Sequence, residues 1–130
     1  MHAVLADTGP LYAAVDPRDE FHKRAAQELG KLEGEKRRVL VVYPILLETH
    51  NLVLRRLGRN TAKHWLTDMA ATVLINPTPE DYRQAVARME ALDQPITLYD
   101  ATVAVLATRL RLPVWTYDHH FDVMRVPVWR

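Results

Sequence analysis

The sequence predicts an α/β protein, a three-layer α/β/α sandwich around a mostly parallel sheet of roughly five strands. Short apolar runs without charge recur at 3–6, 39–43, 72–75 and 113–117. Stretches with an apolar period near 3.6 residues separate them, and Gly or Pro falls at most junctions. Strands that alternate with helices in this way build a parallel sheet covered on both faces.

Each element has its own signal. Ala3-Val4-Leu5-Ala6 reads as a buried strand, broken by Thr8-Gly9-Pro10, and Pro10 suits the first turn of a helix. Asp16-Pro17-Arg18-Asp19 is a second break before a polar helix over 19–32, whose apolar members are Phe21, Ala25, Ala26, Leu29 and Leu32. A charged loop, 33–38, leads into the β-branched strand Val39-Leu40-Val41-Val42-Tyr43. Pro44 opens a helix that Gly58 stops near Leu57. Asn60 is placed to cap the next helix, 61–71. After a third strand, Thr78-Pro79-Glu80-Asp81 is a strong helix start, with a Thr cap, Pro first and acids in the first turn. The helix over 97–111 is apolar almost all round, which suits a central position. Val126-Pro127-Val128-Trp129 suits a short edge strand, where Pro is tolerated.

The 130 residues suit one domain, 1–130, able to bury roughly two thirds of its unfolded surface. With no cysteine, disulfides, Cys-ligated zinc and a Cys nucleophile are excluded. Seventeen basic against sixteen acidic side chains give no global pull towards nucleic acid or membrane. No apolar run approaches the roughly 18 residues that span a bilayer, and the start resembles no signal peptide. A cytoplasmic protein with no membrane partner is the default.

The chemistry lies in lone carboxylates in apolar settings. Asp7 follows the first strand and Asp118 the fourth, so both occupy the carboxyl edge of a parallel sheet, where open α/β folds bind ligands. Glu48 is the only charged residue from Val39 through Leu54, and Asp100 the only one from Gln94 through Thr108. Each has a simpler role available: Asp7 and Asp118 as turn residues, Glu48 as a partner of the helix dipole, Asp100 as part of a capping box with Thr97. The convergence of all four outweighs these. Clustered carboxylates repel, and some stay protonated unless a cation intervenes. Mg²⁺ or Mn²⁺ resolves this, since both take oxygen ligands and bridge to phosphate. Such ions support phosphodiester hydrolysis by activating water and stabilising the leaving oxygen.

The ordered set Asp7-Thr8-Gly9-Pro10-Leu11, Asp16, Asp19 and His22, Glu48 within Leu46-Leu47-Glu48-Thr49-His50-Asn51-Leu52, Leu98-Tyr99-Asp100-Ala101 and Thr116-Tyr117-Asp118-His119-His120-Phe121 resembles the PIN-domain ribonucleases. The order and spacing are most similar to the VapC-type toxins of toxin–antitoxin pairs, over essentially the whole chain. The resemblance implies a PIN-like fold and a Mg²⁺- or Mn²⁺-dependent endoribonuclease. It also implies an RNA substrate, a cognate antitoxin and a homodimer. Asp7, Glu48, Asp100 and Asp118 match the family's acidic positions. Asp7 and Asp100 would bind the metal, Glu48 would bind it or orient water, and Asp118 would complete the site. Thr116 matches a supporting hydroxyl, and Asp122 could replace or assist Asp118. Tyr43 departs from the pattern, because a small hydroxyl cap is more usual before Pro44.

Other residues are open to two readings. Arg55, Arg56 and Arg59 could contact RNA phosphate or line a solvated helix. Asn51, one turn after Glu48, could bond a metal-bound water or simply be exposed. His119 and His120 lack a metal-ligand spacing and read as turn or surface residues. A phospho-receiver would need a late lysine, and none follows Lys63. No G-x-G-x-x-G supports a dinucleotide site, and Gly9 stands where an aspartyl-phosphate phosphatase wants an acid. The competing reading is a non-catalytic PIN-fold module that binds RNA or protein. It leaves four acids without a purpose.

Overall fold

In the computed structural model, which describes residues 2–130, β1 (Ala3–Ala6), β2 (Arg38–Val42), β3 (Val73–Ile75) and β4 (Val114–Trp115) form one parallel sheet in the order β3–β2–β1–β4. Every residue of β1 is buried, as are Leu40, Val41 and Val42 of β2. A strand covered on both faces has no polar side, which is why these runs show no alternation. Where the sequence suggests a fifth strand, the sheet has a single bridge between Val114 and Val128. Pro127 has no N–H to extend a ladder. Its carbonyl accepts from Val114 N at 2.9 Å, and Trp129 N donates to Val114 O at 2.9 Å.

Among the described residues, six helices connect the strands, α1 (Thr8–Val15), α2 (His22–Gly34), α3 (Tyr43–Leu57), α4 (Arg59–Met69), α5 (Pro79–Glu90) and α6 (Leu98–Leu110), and α7 (His120–Val123) follows β4. The path from β1 through β2 to β3 runs one way across the sheet, and the return to β4 runs the other. Right-handed crossovers therefore put α1–α4 on one face and α5–α6 on the opposite face. The packing agrees: α1 touches α2 and α3, α3 touches α4, and α5 pairs with α6. The strand order reverses between β1 and β4, so their carboxyl ends flank the crevice where such folds take ligands.

Local signals set the element ends, with two departures from expectation. Asn60 is not the cap of α4. Gly58, at φ 92°, ends α3 and begins α4 in one residue, which places Asn60 inside the helix. The charged stretch 33–38 is not all loop, because α2 runs to Gly34 and Arg38 already pairs in β2. The central helix is as expected, with residues 100–107 of α6 all buried.

Thr78 forms a full capping box. Its hydroxyl accepts from Asp81 N at 3.1 Å, and Asp81 Oδ2 accepts from Thr78 N at 2.8 Å. Asp81 is buried, yet Arg109 of α6 donates to both its oxygens, at 3.0 and 2.9 Å. Burial pushes its carboxyl up, but Arg109 and the Thr78 bonds outweigh that and hold it below the usual range. This one fork fixes α5 against α6 and so the attitude of the helix that carries Asp100. Arg109→Ala should destabilise the fold by about 1–3 kcal/mol in urea unfolding at neutral pH, since Arg109 is half exposed. Asp81's folded value lies below its unfolded 3.8, so the pair's contribution exists above that pH and is lost as pH falls. The gap between wild type and variant should therefore narrow in acid.

Candidate active site

The four singled-out acids meet. A cavity of about 460 Å³ at the carboxyl ends of β1 and β4 is lined by Asp7, Glu48, Asp100 and Asp118, together with Thr8 and His119 among others. Neither Lys nor Arg lines it. Asp7 leaves β1 and Asp118 follows β4, with Asp7 N donating to Trp115 O at 2.9 Å one step beyond the strand pairing. Glu48 comes from the second turn of α3 and Asp100 from the first turn of α6.

The simple structural roles for these acids are only partly filled. Asp7 occupies the N-cap position of α1, yet its side chain makes no capping bond there. Instead its Oδ2 accepts from the Thr116 hydroxyl at 2.7 Å. Thr97 caps α6 by accepting from Asp100 N at 3.1 Å, without the return bond that completes the box of α5. The Asp100 carboxyl is thereby left for the cavity, which it lines together with the carboxyl of Asp118. Asp118 does start a turn, since its Oδ1 accepts from His120 N at 2.9 Å. Glu48 accepts from the Thr8 hydroxyl, across 40 residues of chain.

Electrostatics follow from this crowding. Burial, reinforced by the charges of Glu48 and Asp118, pushes Asp7 up to about 6 against the bonds from Thr116 and Thr8 N–H. Burial and then the charges of Asp7, Asp118 and Glu48 push Asp100 up strongly. Asp118 is also raised by burial, but the neighbouring Asp100 carboxyl, the His120 N–H and the two imidazoles bring it below its usual range. The crowding thus favours the protonated form at Asp100 and the ionised form at Asp118. Without a cation, protons are what keep this cluster tolerable.

The remaining predicted residues divide. Thr116 is buried and holds two partners, Asp7 and the Asp118 N–H at 3.0 Å. Asp122 lies outside the cavity on the exposed surface, 3.3 Å from Arg130. Asn51 is exposed and does not line the cavity, nor do Arg55, Arg56 or Arg59. Arg56 lies over the Tyr12 ring at 5.1 Å, and Arg59 lines a separate cavity beside His50. Sequence reasoning missed Thr8, whose role depends on α3 arriving beside it. The two histidines, expected as turn or surface residues, lie in the turn beside Asp118, His119 exposed and His120 half-buried. Ligating atoms of Asp118, His119 and His120 lie within 4.8 Å of one another, with His120 Nδ1 3.1 Å from Asp118 Oδ1. Their adjacency in sequence was visible, but the helical turn that gathers them was not.

The donor set suits a hard divalent cation. It offers carboxylate oxygens backed by the Thr116 and Thr8 hydroxyls, and neither Lys nor Arg lines the cavity to balance them. Asp7, Glu48, Asp100 and Asp118 are the groups that could hold it.

Solved structures share the architecture at low identity. The chain is similar to the sarcin–ricin-loop-cleaving toxin VapC20 of Mycobacterium tuberculosis, with TM-score 0.86, 20% identity, and coverage of 98% of this chain and 99% of that one. It is similar to VapBC2 of Rickettsia felis bound to a promoter DNA fragment, with TM-score 0.76, 13% identity, and coverage of 98% and 97%. FitAcB of Neisseria gonorrhoeae follows at TM-score 0.69 and 18% identity, covering 98% and 96%. No curated protein sequence matches. The PIN-domain family matches residues 4–127, nearly the whole chain, and the chain belongs to that family.

Proposed function

We propose that the protein is a Mg²⁺- or Mn²⁺-dependent endoribonuclease and the toxin of a toxin–antitoxin pair. The observation that carries the nuclease reading is the cavity itself, with four carboxyls from four elements and neither Lys nor Arg in its wall. Family membership and the shared architecture with VapC20, VapBC2 and FitAcB support the toxin role and an antitoxin partner. An apolar cavity of about 400 Å³ beside exposed Tyr43, Leu47, Leu98 and Tyr99 supports a protein-binding face, for the antitoxin or a second copy. Among the described residues no helix is long and apolar enough to cross a membrane.

In this reading Asp7, Asp100 and Asp118 hold the cation and Glu48 shares it or orients water. A bound divalent ion supplies charge stabilisation at phosphorus and a more acidic water. Thr116 fixes the Asp7 rotamer, and Thr8 does the same for Glu48. Buried β1 and α6 set Asp7 and Asp100 rigidly, as a site on regular elements requires. A non-catalytic module with this fold would be better served by apolar groups, since an uncompensated buried acid costs stability.

Asp7→Asn or Asp100→Asn should lower cation-dependent RNA cleavage by more than the roughly 10–100-fold typical of losing an outer ligand partner. Gel assays with and without EDTA check this, and cleavage at the wild-type rate by either variant contradicts it. A second expectation concerns stability. Asp7 and Asp100 bind their protons more tightly folded than unfolded, so the metal-free protein loses stability as pH rises from the unfolded value of 3.8 through the raised folded values. Asp100→Asn removes part of that loss. In EDTA near pH 8 it should be more stable than wild type by about 1–2 kcal/mol, a modest figure because the cavity opens to solvent. The difference should vanish near pH 4, as urea unfolding at the two pH values would measure.

A further inference from the structure

The acidic cavity has neighbours of opposite character. On one side lies the apolar cavity of Tyr43, Leu47, Leu98 and Tyr99, where a phosphate chain finds neither Lys nor Arg. On the other lies a smaller cavity of about 200 Å³ that shares Tyr117, Asp118 and His119 with the acidic one. It adds the two guanidinium groups of Arg24 and Arg130, together with Thr116, Val128 and the Asp122 carboxylate that Arg130 pairs. None of Arg55, Arg56 and Arg59 lines either of these two cavities that meet at Asp118.

Arg24 is held in place. Its guanidinium lies over the Tyr117 ring, 4.3 Å from the centroid, and its Nε is 3.6 Å from Glu28 Oε1. The Tyr117 ring is fixed in turn, because its hydroxyl donates to the same Glu28 oxygen at 2.5 Å and Phe21 packs against it at 5.0 Å. Glu28 is anchored from a second side by Trp115 Nε1 at 3.2 Å. A planar cation stacked on an anchored ring is already ordered, so little entropy is lost when it meets an anion. Half of its side chain remains exposed, which leaves donors for a ligand. Arg130 is two-thirds exposed and paired at 3.3 Å with surface Asp122, a link that a phosphate can displace. His119, three-quarters exposed, stands on the wall common to both cavities.

We propose that this second cavity is a subsite for the phosphate flanking the scissile bond, held by Arg24 and Arg130, so that the RNA strand crosses the active site over Tyr117 and His119. The inference rests on the nuclease reading and adds the course of the substrate to it. It assigns phosphate contact to α2 and the last residue of the sequence in place of the end of α3.

The test compares a single-stranded RNA oligonucleotide with bis(p-nitrophenyl) phosphate, a diester that has no flanking phosphate, both with Mn²⁺. In Arg24→Gln, and in the Arg24→Gln/Arg130→Gln pair, KM for the RNA should rise about 10-fold with kcat nearly constant. The ratio of RNA to diester kcat/KM should fall to match. The slope of log(kcat/KM) against log salt should shrink by about 0.7 for each lost contact. Arg24→Lys should recover part of the loss, since it keeps the charge without the fork. An unchanged RNA KM and salt slope would overturn the subsite, and so would an equal loss on both substrates, which marks a structural role for Arg24. Wild-type protein that hydrolyses neither substrate overturns the nuclease reading and the subsite together.

Discussion

Negative charge gathered in one place, with neither Lys nor Arg lining the cavity to answer it, is the constraint on which the rest of this structure turns. Asp7, Glu48, Asp100 and Asp118 come from four separate elements into one cavity. Elsewhere the same protein handles a buried acid differently. Asp81 is given the whole fork of Arg109 and is held ionised. The cavity acids receive hydroxyls, backbone N–H groups and each other, and burial and mutual repulsion push two of them, Asp7 and Asp100, above the usual carboxylate range. A fold that satisfies one buried carboxylate with arginine and gives four others neither Lys nor Arg holds those four for a cation from outside.

The fold serves this constraint through topology. Reversal of strand order between β1 and β4 opens the crevice, and burial of both strands makes its floor rigid. The Asp81–Arg109 fork locks α5 to α6, so the Asp100 carboxyl enters the crevice at a fixed height. Thr97 caps α6 through the Asp100 backbone alone, and this half-made cap is what leaves the carboxyl available. Stability and site thus compete at single residues, with stability surrendered at Asp100 and kept at Asp81.

Much of this was legible in the amino-acid order. The buried strands at 3–6 and 39–42 announce themselves by continuous apolar runs, and Thr78-Pro79 by capping chemistry. The acids stood out because Glu48 and Asp100 sit alone in long uncharged stretches, which is a property of the linear chain. What the chain concealed depends on three-dimensional arrival. Asn60 looks like a cap until Gly58 is seen to turn the chain within one residue. The edge strand shrinks to one bridge because Pro127 lacks the N–H for another rung. Thr8 and Glu48 are 40 residues apart, and Arg24, Tyr117 and Glu28 meet only when α2 packs beside the end of β4. Basic pairs such as Arg55-Arg56 and Lys23-Arg24 look alike in sequence, but only Arg24 among these borders the wall shared with the acids.

The most direct test of the central claim is calorimetric titration of the metal-free protein with Mn²⁺ near pH 7, in two buffers of different ionisation enthalpy. If the cation replaces the protons that now hold the cluster together, binding must release protons, and the apparent enthalpy must change with the buffer. The account predicts binding with net proton release, and a smaller release or none in Asp100→Asn. Absence of Mn²⁺ binding, or binding with the same enthalpy in both buffers, would contradict it.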